Sequence, residues 1–231
     1  MLRSASALDH AVKSRAVHTD LSLQYLLNVP SARLDTETMP MVVLIHGRGA
    51  DANDLADLAP LLDSPAGARF VLPNAPKPFE IYPGMAYGWT WFDGWPPQQE
   101  SVAESRVTLL KFLDEITARY PTSALIVSGF SQGGMMALDA GLRTSQNVSG
   151  VVSMSGGLYE NDLPDLRERP KVPILISHGT DDEVVSIIYA RRARARLEEA
   201  GFDVEYHEYP MGHQVVMDEI AVVKDFIARV T

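Results

Sequence analysis

The sequence contains no cysteine among its 231 residues. Disulfide bonds, thiolate metal sites and a cysteine nucleophile are therefore all excluded. Disulfides form and persist in oxidising compartments, so a chain without cysteine is compatible with a reducing one. This absence is the first reason to expect a cytoplasmic protein.

Long apolar runs are also missing. No stretch approaches the roughly 20 apolar residues that a membrane-spanning helix needs, so we predict no stable insertion into a membrane. Near the N-terminus, Asp9, Lys13 and Arg15 interrupt any apolar run before the core of a signal peptide could form. The sequence therefore predicts a protein that is not exported.

Positive charge is scarce as well. The chain has 30 acidic and 20 basic residues, which gives a formal net charge of −10. Nucleic acids and anionic membranes bind basic faces, so neither is a predicted partner. An uncharged small-molecule substrate remains compatible with this balance.

The rest of the composition is that of an ordinary soluble protein, with 46% hydrophobic and 22% charged residues. The length suits one α/β domain better than two. We predict a flexible N-terminal arm at residues 1–18, followed by one domain at residues 19–231.

Short apolar runs alternate with longer helical stretches along the chain. Runs such as VVLI, ALIVS and PILIS are almost continuously apolar, which is typical of strands covered on both faces. Strands are predicted at Met41–Ile45, Arg69–Leu72, Ala124–Ser128, Val148–Ser153, Ile174–Ser177 and Val204–Tyr209, with a weaker candidate for an antiparallel edge at Leu21–Val29. Helices are predicted at Asp54–Leu62, Gln98–Arg119, Gly133–Arg143, Ser186–Ala200 and Gln214–Val230. This alternation predicts an α/β fold with a mostly parallel central sheet and helices on both faces. The link from Ser153 to Ile174 is too short for a large cap domain.

One segment, Pro73–Pro97, breaks the alternation because it is rich in proline and aromatic residues. Its aromatic residues are Phe79, Tyr82, Tyr87, Trp89, Trp91, Phe92 and Trp95. They could line a substrate site, or they could pin a loop onto the domain. Exposed aromatics near Trp89 and Trp95 could equally form the surface of a homodimer.

The pentapeptide Gly129-Phe130-Ser131-Gln132-Gly133 has the form G-x-S-x-G. A predicted strand leads into it and a predicted helix follows, which is the context of a nucleophile elbow. The alternative is a glycine-rich turn in which Ser131 only caps the helix. The surrounding pattern favours Ser131 as the nucleophile of a hydrolase.

A serine nucleophile needs a base, and three histidines follow Ser131 in the sequence. His207 lies inside a predicted strand, where it packs with the sheet. His178 closes another strand and could hold the turn by hydrogen bonding. His213 lies in a loop after the last strand, where catalytic groups gather in open α/β sheets. The order of the elements therefore favours His213 as the base.

The acid that orients the base is expected in the loop after the preceding strand. Three adjacent carboxylates, Asp181, Asp182 and Glu183, stand there. One of them must accept the imidazole N–H. Spacing alone does not choose among the three, and the others could cap the helix that follows.

A second loop, His46-Gly47-Arg48-Gly49, follows the strand MVVLI. Its glycines would let a backbone N–H approach the reacting carbonyl, and the Gln132 N–H would supply a second donor to this oxyanion hole. A phosphate-binding loop is the weaker alternative, because neither of the common glycine-rich phosphate motifs occurs here.

Together these motifs resemble the phospholipase/carboxylesterase family of α/β hydrolases, which includes bacterial carboxylesterases, acyl-protein thioesterases and lysophospholipases. The matching stretches, in family order, are LIHGRG, WFD at Trp91–Asp93, GFSQGG, HGTDDEVV and GH at Gly212–His213. The resemblance implies a triad and an oxyanion hole; the triad residues are Ser131, Asp182 and His213, and the oxyanion donors are the backbone N–H groups of Arg48 and Gln132. It implies supporting or substrate-binding roles for His46, Gly47, Trp89, Trp91 and Phe92.

The expected activity is hydrolysis of small to medium, uncharged acyl esters through an acyl-enzyme, with no metal or organic cofactor. Thioesterases of this family usually have an apolar residue where Arg48 stands, which favours the bacterial esterase branch. An acyl-protein thioesterase or lysophospholipase with the same triad is the alternative. A binding module that has lost its chemistry is a further one, although all three triad residues are available here.

Overall fold

A computed structural model describes residues 16–29, 37–63 and 67–231. In chain order, its elements are β1 (Val17–His18), β2 (Tyr25–Asn28), β3 (Met39–Ile45), α1 (Ala59–Leu62), β4 (Arg69–Pro73), β5 (Lys77–Tyr82), β6 (Met85–Thr90), α2 (Gln99–Arg119), β7 (Thr122–Phe130), α3 (Gln132–Gly141), β8 (Val148–Met154), β9 (Ile174–Gly179), α4 (Ile188–Glu199), β10 (Val204–Tyr209) and α5 (Met217–Val230). Within these residues, eight strands form one sheet in the order β1-β2-β4-β3-β7-β8-β9-β10, and β5 and β6 form a separate hairpin.

The large sheet is parallel from β4 to β10, as predicted. The predicted antiparallel strand is β2, which pairs antiparallel with β4. It is not the edge strand, because Val17–His18 pair outside it and the His18 ring stacks on Tyr25 at 4.7 Å between ring centroids. Residues 17 and 18 of the predicted arm therefore belong to the sheet, whereas residues 1–15 lie outside the described part of the chain.

Helices cover both faces of the sheet, which confirms the predicted layers. Successive residues of β3 point to opposite sides: Met41, Val43 and Ile45 join one apolar cluster, and Val42 and Leu44 join the other. The first cluster includes buried residues of α2, α3 and α4, and the second includes those of α1 and α5. Because side chains alternate along a strand, a strand between two helical layers must be apolar at every position.

Two predicted elements differ from the structure. Of the predicted helix Asp54–Leu62, only Ala59–Leu62 is an α-helix, and successive turns such as Asp54 N–H to Asp51 O precede it. Pro73–Pro97 is not only a loop, because it contains the hairpin of β5 and β6, which turns at Gly84 with φ +81°. The hairpin was not predicted because its proline and glycine residues weaken the alternating pattern by which strands are recognised.

The link between β8 and β9 is an irregular segment at residues 155–173. Arg106 of α2 connects this link to the helices: its Nε donates to the buried Asp139 Oδ2 of α3 at 2.6 Å, and its Nη1 donates to Oδ2 of the exposed Asp162 in the link at 3.0 Å. This segment leaves no room for a large cap domain, as predicted. In the described part of the chain, no helix is both long and apolar enough to cross a membrane.

The first turn of α5 buries one carboxylate. Glu219 is 0% exposed. Burial raises the pKa of the Glu219 carboxyl to about 6, although contacts with Ser177 and the Val216 backbone favour the charged form. The native state therefore holds this proton more tightly than the unfolded chain does. The protonated Glu219 carboxyl therefore contributes to the free energy of unfolding. This contribution is fully present below the ordinary pKa of 4.5 and is lost as the pH rises through 6.

We expect Glu219→Gln to raise the free energy of unfolding at pH 7.5 by about 2 kcal/mol, because glutamine resembles the protonated acid and each pH unit of difference is worth about 1.36 kcal/mol. Denaturant unfolding at pH 5 and pH 7.5 measures the gain, which should shrink at the lower pH. Asp218→Asn, an exposed acid in the same turn, is the control. Equal gains for both variants at both pH values would contradict the burial argument.

Candidate active site

Three of the predicted residues meet at the carboxyl ends of three parallel strands. Ser131 follows β7, Asp182 follows β9 and His213 follows β10. Ser131 Oγ lies 2.9 Å from His213 Nε2, and His213 Nδ1 lies 2.7 Å from Asp182 Oδ2. Since the carboxylate accepts the proton on Nδ1, Nε2 is free to accept the hydrogen bond of the Ser131 hydroxyl. The arrangement can deprotonate a serine hydroxyl.

Ser131 has φ +58° and ψ −121°, a strained conformation for a residue with a side chain. The flanking glycines explain how the chain accommodates the turn. A Cβ at Gly133 would lie 2.0 Å from Ile45 O, and one at Gly129 would lie 2.3 Å from Gly133 O. The G-x-S-x-G pattern is thus a packing requirement, because α3 must approach β3 and β7 without side chains between them.

Asp182 is the carboxylate that the fold brings to His213. Its Oδ1 accepts the backbone N–H groups of Val184 at 2.9 Å and Val185 at 2.8 Å, which leaves Oδ2 for the imidazole. The Asp182 side chain is fully buried, whereas Asp181 and Glu183 are exposed. The tight turn after Asp182 therefore directs this carboxylate, and not its two neighbours, toward His213.

Both other downstream histidines lie where the sequence placed them. His178 is buried and its Nε2–H donates to Val185 O at 2.7 Å, while the same nitrogen lies 3.3 Å from Asp182 Oδ2. Burial lowers the pKa of His178, so the ring is neutral. The contact with Asp182 was not predicted, because it depends on how the loop folds back on the strand. His207 pairs with Glu205 on β10.

The loop predicted to form the oxyanion hole, residues 46–49, lies next to Ser131. A Cβ at Gly47 would be 3.3 Å from Ser131 Cβ, so the backbone that leads into Arg48 lies close to the serine side chain. Within the described part of the chain, the Arg48 N–H has no acceptor. Gln132 is the first residue of α3, and its N–H has no partner inside the helix. Two free N–H donors thus flank Ser131.

The side chains of His46 and Trp91 hold the loop at residues 46–49 by hydrogen bonds. The Ala75 N–H donates to His46 Nε2 at 3.0 Å, so the ring proton is on Nδ1, which donates to Gly47 O at 2.7 Å. The Trp91 indole N–H donates to His46 O at 2.9 Å. Burial lowers the pKa of His46 to about 4, so the ring is neutral. Both side chains are buried, and their contacts support the loop.

The Gln132 side chain ties the same region to the nucleophile. Its Oε1 accepts from Trp91 N–H at 3.0 Å and from the Thr90 hydroxyl at 3.1 Å, and its Nε2 donates to Phe92 O at 2.8 Å. Phe92 is only 2% exposed. Of the aromatic residues expected either to face substrate or to pin a loop, Trp91 and Phe92 thus belong to the second group.

The hairpin of β5 and β6 clamps the oxyanion loop from outside. The Gly49 N–H donates to Trp89 O and the Trp89 N–H donates to Ala50 O, both at 2.8 Å. Gly88 makes this approach possible, because a Cβ there would lie 2.2 Å from Gly49 O. Trp89 therefore acts here through its backbone. These contacts could not be predicted from the sequence, since the hairpin itself was not predicted.

A small cavity of about 140 Å³ lies beside α3. Met135, one helical turn from Ser131, contributes to its wall. Its other residues are Trp95, Pro96, Pro97, Leu158, Tyr159, Glu160, Asn161, Tyr189 and Arg192. Across the described residues, no group of three or more histidine or carboxylate side chains is arranged to hold a metal ion.

Comparison with known proteins gives consistent matches. A family model described as Phospholipase/Carboxylesterase matches residues 32–231. Acyl-protein thioesterase 1 of Mycosarcoma maydis is 33% identical over 214 residues, covering 80% of this chain and 89% of the fungal protein. Carboxylesterase SOBER1 of Arabidopsis thaliana is 29% identical over 206 residues, covering 81% of this chain and 89% of the plant protein. Among solved structures, esterase PE8 has a TM-score of 0.75 at 29% identity, covering 89% of this chain and 99% of PE8.

Proposed function

The chain belongs to the phospholipase/carboxylesterase family of α/β hydrolases, and we propose that it is a serine carboxylesterase acting on small to medium acyl esters. One observation carries the proposal: an unbroken series of hydrogen bonds runs from Ser131 Oγ through the His213 ring to the Asp182 carboxylate. This is the arrangement by which a serine hydroxyl becomes a nucleophile near neutral pH.

The reaction proceeds in two acyl transfers. Ser131 Oγ attacks the ester carbonyl carbon while His213 Nε2 accepts the hydroxyl proton, and Asp182 stabilises the resulting imidazolium. The negative charge on the carbonyl oxygen is met by the backbone N–H groups of Arg48 and Gln132. His213 then gives its proton to the departing alcohol. A water molecule, deprotonated by His213, attacks the acyl-enzyme and releases the acid.

The cavity beside α3 supports a substrate of modest size. It measures about 140 Å³, and its wall combines apolar side chains such as Leu158 with polar ones such as Asn161 and Arg192. We place the acyl or alcohol group of the substrate there, next to Met135. The short irregular link at residues 155–173, in place of a cap domain, fits an open site.

Hydrolysis of thioesters is a second candidate, because the relative from Mycosarcoma maydis is named an acyl-protein thioesterase. The steps at Ser131, His213 and Asp182 are the same for a thiol leaving group. Matched oxygen esters and thioesters of one acyl chain separate the two functions by their kcat/KM values.

We place the reaction in the cytoplasm, supported by the cysteine-free composition. A homodimer remains a proposal that size-exclusion chromatography with light scattering would test.

With p-nitrophenyl esters from acetate to palmitate, we expect kcat/KM to be highest between acetate and octanoate and to fall at least about tenfold by palmitate, because a long acyl chain would extend beyond the cavity of about 140 Å³ in which we place it. Steady-state kinetics of the purified protein measure the profile. Leu158→Phe, which adds volume to the cavity wall, should move the optimum toward shorter chains. No turnover of any ester would refute the esterase, and an optimum at palmitate would refute the size range.

A further inference from the structure

One cation beside the nucleophile has no carboxylate partner. The Arg48 side chain is exposed and its guanidinium carbon lies 4.7 Å from the centre of the Phe79 ring. Among residues 16–29, 37–63 and 67–231, no carboxylate lies within ion-pair distance of it, and no acceptor takes any of its side-chain hydrogen bonds. A guanidinium has five N–H donors. Those of Arg48 are therefore free to bind a ligand.

Other arginines of this acidic chain are used differently. Arg106 pairs with Asp139 at 2.6 Å, Arg191 with Glu208 at 2.8 Å and Arg194 with Glu198 at 2.8 Å. With 30 acidic residues in the chain, a carboxylate partner is easily available to a surface cation. Among the described residues, Arg48 shares the lack of a carboxylate partner with Arg167 and Arg192. What distinguishes Arg48 is its position directly after Gly47, beside Ser131.

The backbone around this cation is held in place. Gly47, which precedes Arg48, lies so close to Ser131 that a Cβ on it would be 3.3 Å from the serine Cβ, and backbone hydrogen bonds with Trp89 hold Gly49 and Ala50, which follow it. The ring of Phe79, on the same hairpin, lies within cation–π distance of the guanidinium. The N–H groups at the edge of a guanidinium plane are the part that binds carboxylates in a bidentate manner.

We propose that Arg48 is a specificity residue, and that the enzyme prefers esters that carry a carboxylate in addition to the scissile ester. The inference rests on the proposed esterase function. It departs from the uncharged esters expected from the sequence, because the preferred ester would carry a negative charge. The backbone N–H of Arg48 meets the carbonyl oxygen in the proposed mechanism, so its side chain starts at the carbon next to that nitrogen. In this proposal the guanidinium binds a carboxylate that stands a few bonds away from the reacting carbon.

The attraction is local. The chain as a whole repels anions, since its formal net charge is −10. A charge-assisted hydrogen bond at short range exceeds that screened background repulsion. The carboxylate could stand in the acyl part or in the alcohol part of the ester, and Arg48 would recognise either one by the same contact.

The test compares charged and neutral esters of matched shape. For the acyl part, the pair is 4-nitrophenyl hydrogen adipate and 4-nitrophenyl hexanoate. For the alcohol part, the pair is 4-acetoxybenzoate and 4-acetoxybenzamide. The measured quantity is the ratio of kcat/KM for the anionic ester to that for its neutral partner, after subtraction of spontaneous hydrolysis.

We expect wild-type protein to favour the anionic ester in one of the two pairs, and Arg48→Gln to lower that ratio about five- to tenfold. Arg48→Lys should retain part of the preference, and Arg48→Glu should reverse it. Arg196→Gln removes the same charge from an exposed pair on α4 and should leave the ratio as in wild type.

A wild-type ratio of one or less in both pairs would overturn the inference, as would an equal fall in Arg48→Gln and Arg196→Gln. Because each ratio is taken within one protein, a general loss of activity in Arg48→Gln cancels. The neutral esters report on the proposed function itself. If they are not hydrolysed at all, the esterase proposal fails; if they are hydrolysed and the ratios do not change, only the role of Arg48 fails.

Discussion

Ser131→Ala is expected to lower kcat for ester hydrolysis by about 10⁴-fold or more and to abolish labelling by a fluorophosphonate probe. The reason is that alanine removes the only atom that bonds to the acyl group in the proposed mechanism. His213, 2.9 Å from the serine oxygen in the native site, would have no hydroxyl to deprotonate. The oxyanion donors would remain, so a residual rate above that in water is expected.

A second buried serine provides the control for this result. Ser155 also has a positive φ, +48°, and follows the neighbouring strand β8. Ser155→Ala should retain probe labelling, because this hydroxyl is not in contact with His213. Mass spectrometry of the labelled native protein should locate the adduct on Ser131. Labelling of Ser131→Ala at the wild-type rate would refute Ser131 as the nucleophile.

Asp182→Asn is expected to lower kcat by about 10³- to 10⁴-fold with a much smaller change in KM. The asparagine amide would favour the imidazole tautomer with its proton on Nε2, where it cannot accept the serine proton. The imidazolium formed during the reaction would also lose the negative charge now 2.7 Å from Nδ1. Steady-state kinetics give both parameters, and circular dichroism with thermal unfolding shows whether the variant is folded.

The adjacent carboxylate is the matched control for Asp182. Asp181→Asn makes the same chemical change one residue away, at an exposed side chain. It should keep kcat within about threefold of wild type, since solvent screens an exposed charge. Equal losses in the two variants would show that the loop's total charge matters, and not the contact of Asp182 with His213.

Much of the fold could be predicted because its strands satisfy a local rule. In β3, both faces are buried by helices, so every residue from Met39 to Ile45 is buried and the run stands out in the sequence. The hairpin of β5 and β6 follows no such rule. Ile81, Tyr82, Met85 and Tyr87 are all exposed, and its prolines and glycines weaken the strand pattern. Its existence depends on the contacts of Gly88 and Trp89 with the oxyanion loop.

The candidate site also contains some residues that could be predicted from the sequence and others that could not. Gly129, Ser131 and Gly133 were recognisable because the close approach of α3 to two strands excludes side chains at both glycines, a requirement that leaves its mark in five consecutive residues. His213 followed from the order of the elements, since the carboxyl ends of parallel strands meet at one edge. Ser131 and His213 could therefore be predicted without knowledge of the direction in which either side chain points.

The sequence alone therefore determined the layered α/β fold, and it allowed Ser131 and His213 to be predicted as catalytic residues, because local packing and chain order specify their places. Tertiary structure decided the rest. Asp182 and Asp181 are chemically identical neighbours, and only the turn that directs the N–H groups of Val184 and Val185 at one carboxylate distinguishes them. The same holds for Arg48: the sequence shows a charge next to a glycine, but only the folded hairpin places the Phe79 ring 4.7 Å from the guanidinium carbon, with no carboxylate among the described residues at ion-pair distance. These outcomes depend on orientation, which arises from contacts between segments far apart in the chain.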